Sequence, residues 1–454
     1  MKKLSLILAA IMLLTLVMSG CGGKKQQEAV YNEEGQIVIT VPDLITSATG
    51  LNRWLALRQK EFTEKYPNIK VNHIGQYVGD TAHMTEYMTT AFMGENAPTC
   101  MSTSSLIYIN DIYNQGLIKD IAPLLTEDSE FYKSYDYVQK AFTRNEAVVG
   151  YPVSMEVALL AFYNDSLEEA GYDPATFTCE TWDEYYEVVK KLNEGKRAGA
   201  SLYLYEYFLW PHNWFLSNGA VPATVNADRT MSLDFSNQAM VETCEFFRKL
   251  YQEGLTNKNI SSTNLQSALD LIYQKKVASF TLYPTWLNSL TSYDIKPTDI
   301  TLMQFPKGPS ATTQKSAVQL SGYVFNARKS DEEIKAAITY IEFMYGEEAM
   351  RSQAEFRQEN QVVSFALSVY ENVDFFAGMT ELGIPQNWID VTKRAIENAD
   401  VCAYPSTAFT SYLTTQIPAL TTDVSKDIKS TLENAQRVAE NEWLIGYNES
   451  VLYD

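Results

Sequence analysis

From Ala147 to Asn164 the chain carries a single charge, Glu156, within a run of apolar and small residues. A run of this kind reads as a strand covered on both faces, because leaving it in water costs about 25 cal/mol per Å² of apolar surface. A lone carboxylate in such a run needs a partner. Either it contacts a ligand, or it pairs with a Lys or Arg, or it sits where the strand reaches the surface.

The neighbouring segments alternate in period, and that alternation sets the fold class. "QIVITV" reads as a buried strand, followed by a helix through "LNRWLALRQKEFTEKY" with Leu51, Trp54, Leu55, Arg58 and Phe62 at helical spacing and Pro67 as the stop. "NIKVNHI" is a second strand, and "MTEYMTTAFMGEN" is a helix ending at Gly94. Further strands are expected at "VVGYPV", "VALLAFY", "KVASFTLY", "ITLMQFP" and "QLSGYVFNA". Helices are expected after Thr181, with Glu184 completing a capping box, after Ser236, and from Ser330 with Glu333 to Tyr345. The C-terminal third is mostly helical. Strand–helix–strand alternation predicts an α/β protein with parallel pairing.

At the N-terminus, Lys2-Lys3 precedes an apolar run from Leu4 to Met18 and the small residues Ser19-Gly20-Cys21. The run is too short for a permanent span and has signal-peptide flanks. "SGC" resembles a bacterial lipobox, in which cleavage precedes a lipid-bearing cysteine, here Cys21; an ordinary secretory signal is the alternative. Residues 1–20 are then the signal, and 21–36 a polar tether with a reach of about 20 Å. Loss of Lys2 and Lys3 takes the net charge from −20 to −22. That excess of acid excludes a nucleic-acid footprint and a polybasic membrane contact, leaving the lipid as the anchor. Cys100, Cys179, Cys244 and Cys402 are scattered and read as isolated small apolar side chains.

The order of the phrases "FTEKYPNIKV", "GLIKDIAPLL", "YPVSMEVALLAFYNDSLEEAGYDP", "TWDEYYEVVKKL", "FFRKLYQEGL" and "SGYVFNARKS" resembles the bacterial extracellular solute-binding proteins of sugar ABC transporters, the maltose-binding-protein-like family. The resemblance implies a two-lobe periplasmic-binding-protein-like fold of type II, each lobe a mixed sheet flanked by helices, with a ligand cleft between the lobes. It implies chain crossings near Gly150–Ser154, Val318–Ser321 and Cys402–Pro405. The lobes are then discontinuous: 37–150 plus 321–402, and 151–320 plus 403–454. It further implies a monomer on the extracytoplasmic face of the cell membrane, with a carbohydrate ligand and an ABC permease driven by a cytoplasmic ATPase as partners, and with no cofactor, metal or nucleic acid.

By the same resemblance, Glu156 occupies a sugar-contacting position and Trp286 a sugar-stacking one. Tyr207, Trp210 and Tyr283 add aromatic candidates, while Asp43, Ser104, Ser105, Tyr323 and Tyr404 are candidates near the crossings. The chemistry fits, since a pyranose offers a C–H face to an aromatic ring and a belt of hydroxyls to polar groups. Each residue has a structural alternative: helix N-caps for the serines, core packing for the aromatics, and core packing above all for Trp214. "AYPSTAF" lacks the Trp that lines the maltose site in this region, which leaves the expected ligand class as a carbohydrate without singling out maltose. His73, His83 and His212 show no zinc spacing, and no nucleophile elbow or phosphate loop occurs. A surface glycosidase and a binding protein serving a membrane sensor or a non-sugar solute are the alternatives.

Overall fold

The computed structural model describes residues 28–452 except 46, 48, 77–82, 104, 145, 205–210, 227–229, 261–262, 366, 398 and 402–406. Strands β1 (Ile37–Val41) and β2 (Ile69–His73) pair in parallel, joined by helix Leu51–Lys65, which buries Trp54, Arg58 and Phe62. Helix Asp331–Tyr345 lies against β1 and brings Tyr340 edge-on to Phe62, with ring centroids 4.8 Å apart. Its start is fixed by a capping box in which Ser330 Oγ accepts from Glu333 N at 3.1 Å and the Glu333 carboxylate accepts from Ser330 N at 3.1 Å. Helix Trp182–Asn193 begins with the reciprocal Thr181–Glu184 box.

Helix Gln238–Gln252 is capped by Asn237 and not by the expected Ser236. Asn237 is the extended residue, and its side chain accepts from Met240 N at 3.0 Å. Asn caps at least as well as Ser, so the adjacent pair leaves the choice to backbone conformation.

Two larger sheets carry most of the remaining strands. One contains β5 (Leu159–Tyr163), β6 (Ala198–Ala200), β7 (Val277–Leu282) and β8 (Ile300–Met303), in the order β8-β5-β7-β6. The other contains β3 (Cys100–Thr103), β9 (Ser316–Phe325) and β10 (Ala399–Val401), with β4 (Tyr151–Val157) also paired to β9. The expected parallel pairing is therefore corrected. β5 is antiparallel to both β7 and β8, and β9 is antiparallel to β3 and β4; only β1–β2, β6–β7 and β9–β10 are parallel. Periodicity reports which faces of a strand are covered, but not the direction of the strand beside it.

Two connections join these sheets. β4 runs into β5 across one residue, Ala158, and the ten-residue β9 pairs with β10 over Ser316–Val318, with β4 over Val318–Tyr323 and with β3 over Gly322–Phe325. The core on either side is apolar, including the fully buried Trp388, whose indole donates to Ile300 O at 2.9 Å. Trp214 belongs to it, packed among Tyr185, Phe246 and Phe305. Cys100, Cys179 and Cys244 are free and buried.

Candidate ligand-binding site

The β4–β9 ribbon has one polar face. Glu156 stands opposite Gln319 and Ser154 opposite Ser321, and all four are half-buried, whereas Val153, Met155, Val157, Val318 and Leu320 between them are buried. Side chains two apart on a strand share a face, so the four polar groups lie side by side. The register shifts at Ser321/Gly322, where Gly322 meets Pro152. The Phe142 ring covers this point, and a Cβ on Gly322 would lie 2.5 Å from Tyr151 O and 2.8 Å from that ring. The single glycine of "LSGY" is thus required by close backbone approach.

A turn at the end of β7 approaches the same face. Pro284 starts a short 3-10 helix, Pro284–Trp286, and its fixed φ suits that first position. Trp286 is half-buried, with its ring 5.0 Å from Tyr283 and inclined at 44°. The residue between, Thr285, acts on Glu156. Burial pushes the Glu156 carboxyl above its ordinary value, and the Thr285 hydroxyl opposes that shift. Glu156 forms no ion pair among the described residues.

One atom beside it is unmet. Gln319 Nε2 is buried without a hydrogen-bond partner among the described residues. An unmet buried polar atom costs about 1–3 kcal/mol, so such atoms are rare unless something else satisfies them. The assembly presents a carboxylate acceptor, an amide donor, a hydroxyl and an aromatic face. That set suits a neutral polyhydroxylated ring.

The structure thus gathers Trp286, Tyr283 and Glu156, although Tyr283 itself is buried. Asp43 and Tyr323 form a different group. Asp43 is buried and accepts from His73, Gln59 and Tyr340. Tyr323 is buried, its hydroxyl 3.5 Å from that of Tyr345. Ser105 is buried, and its Oγ accepts from Ile107 N at 3.4 Å, a local duty at the start of helix Ile107–Asn114. Ser104, Tyr207, Trp210, Tyr404 and Cys21 lie outside the described residues. Ser154, Gln319, Ser321 and Thr285 were not singled out from sequence. The polar alternation in "PVSMEV" and "VQLSGY" was the available signal for three of them.

The model of a protein family described as bacterial extracellular solute-binding protein matches residues 48–351, well over half of the chain. The chain belongs to this family. Among solved structures, this solute-binding protein is similar to an ABC substrate-binding protein from Listeria monocytogenes in complex with cycloalternan (TM-score 0.68, 16% identity, 89% of this chain and 98% of that one). It is also similar to a maltose-bound MalE3 protein of T. maritima (TM-score 0.66, 17% identity, 89% and 99%). At such identities the likeness establishes the fold, the two-domain periplasmic-binding-protein arrangement. A curated relative, the arabinooligosaccharide-binding protein of Bacillus subtilis (strain 168), is 23% identical over 205 residues, 44% of each chain. The match therefore spans less than half the length of that relative. No helix among the described residues is long and apolar enough to cross a membrane.

Proposed function

We propose that this solute-binding protein captures a carbohydrate against the β4–β9 ribbon, in a cleft between two lobes that close on it, and delivers it to the permease of an ABC import system. The observation that carries the reading is the convergence of Glu156, which forms no ion pair among the described residues, with the unmet Gln319 Nε2 and the Thr285 hydroxyl beside the half-buried Trp286. Sugar hydroxyls donate and accept in the same small area, so one ring meets all three polar groups while its C–H face stacks on the indole. The relatives described as binding arabinooligosaccharide or holding cycloalternan or maltose support the same ligand class.

The lobes are proposed as 37–150 plus 321–402 and 151–320 plus 403–454. In support, β4 and β9, which contain the first two proposed crossings, are paired, and β10, which ends just before the third, pairs with β9. Membrane attachment is proposed through lipid on Cys21. Binding without turnover is favoured by membership of a family described as solute-binding proteins.

Intrinsic fluorescence and calorimetry across arabino-oligosaccharides, maltose, maltotetraose and cycloalternan test the reading. Saturable tryptophan quenching that is lost in Trp286→Ala supports it. An absence of heat, quenching and melting shift with every sugar overturns it.

A further inference from the structure

The turn that bears Trp286 continues into helix Leu287–Ser292, with Trp286 just before its first residue and Tyr293 just after its last. Leu287 and Leu290 are buried and set the inward face. Seven positions are about two turns of helix, so Tyr293 returns to the edge that carries Trp286, about 10 Å farther along the axis. Ser289 lies between them on that edge and is exposed.

Tyr293 is the outer half of a ring pair. It stacks on Tyr273, with centroids 4.2 Å apart and planes inclined by 9°. Tyr273 is the last residue of helix Leu265–Tyr273, and the two helix ends are closed in the same way. Lys275 N donates to Ile272 O and Lys276 N to Leu271 O, while Asp294 N donates to Thr291 O and Ile295 N to Leu290 O. These are the paired bonds of a Schellman motif, with Lys275 and Asp294 in the left-handed conformation. The backbone beneath each ring is therefore fixed. Tyr273 is half-buried; burial raises its hydroxyl and the Ser289 hydroxyl opposes that rise, which ties the inner ring to the same helix edge. Tyr293 is 54% exposed although Tyr273 covers one of its faces. Its other face is a flat, rigidly backed surface in line with Trp286.

We propose that Tyr293, backed by Tyr273, is an outer subsite that stacks a further ring of an oligosaccharide whose inner ring lies on Trp286, so that the protein favours longer chains over disaccharides. This rests on the carbohydrate reading above. A distance of about 10 Å is the run of about two linked pyranoses, so a disaccharide seated on Trp286 stops short of Tyr293 and a chain of three or more units reaches it.

Calorimetry on the full chain tests this, with maltose, maltotriose, maltotetraose and maltopentaose and the arabino-oligosaccharides of the same lengths. In the wild type, affinity is expected to rise about two- to tenfold at the length that reaches Tyr293, the gain from one stacked ring. Tyr293→Ala is expected to remove that step and to leave the affinity for disaccharide unchanged, with the melting temperature held because the side chain is exposed. Tyr293→Phe keeps the ring and should keep the step.

A wild type whose affinity is level across lengths, a step that survives in Tyr293→Ala, or an equal loss at every length in that variant overturns the outer subsite. In each of these cases sugar still binds, so the carbohydrate reading stands. If no length of either series binds the wild type, that reading falls and the outer subsite falls with it.

Discussion

Glu156→Gln separates binding from stability, because the two should change in opposite directions. The substitution keeps the volume and one acceptor but removes the charge. A hydrogen bond to a charged group contributes about 1.5–3 kcal/mol and a neutral one about 0.5–1.5, so the variant should lose about 1–2 kcal/mol of binding, or about 5- to 30-fold in Kd. The free protein should instead be no less stable at pH 7. Burial raises the folded-state pKa of Glu156 above its ordinary 4.5, so its ionisation costs folding free energy. The sign follows directly. Below the unfolded pKa both states are protonated and wild type carries no penalty; as pH rises through the folded pKa the penalty reaches its full size. The variant's gain in Tm should therefore be present at pH 7 and shrink toward pH 4. Calorimetric titration with the sugar that binds most tightly, and melting curves from pH 4 to 7, measure both effects. A variant that binds like wild type and melts lower at pH 7 would refute the reasoning, because Glu156 would then be a structural acceptor rather than a ligand contact.

Three further outcomes test the frame around the site. Gly322→Ala forces a Cβ to 2.5 Å from Tyr151 O, and urea unfolding should show a loss of about 1–3 kcal/mol. Thr181→Ala removes the cap of helix Trp182–Asn193 and should cost about 1 kcal/mol in the same assay, with sugar affinity unchanged. Gln319→Leu replaces an unmet amide by an apolar group; melting should hold or rise, and sugar affinity should fall by about 1 kcal/mol in calorimetry.

Much of the fold was legible because its signals are local. The capping boxes at Thr181 and Ser330, the stop at Gly94 and the buried character of the run around Glu156 each follow from residues within a few positions of one another. Glu156 itself could be found in this way, since a single charge in an apolar strand is conspicuous without any knowledge of its neighbours. Gln319 could not, because a glutamine in an alternating strand becomes informative only when it stands opposite Glu156 and its Nε2 is left unmet. Asp43 gives the reverse case. From sequence it was an open acceptor after the first strand, but its bonds come from Gln59, His73 and Tyr340, which lie 16, 30 and 297 positions away.

The chain's local pattern thus determined which segments are strands or helices and which positions are buried. Tertiary structure decided strand direction, and also which buried polar groups have partners and which are left for a ligand. The physical reason is range. Periodicity and capping act within a turn or two of backbone, whereas satisfying a buried hydrogen-bonding group depends on atoms that only folding brings within about 3 Å.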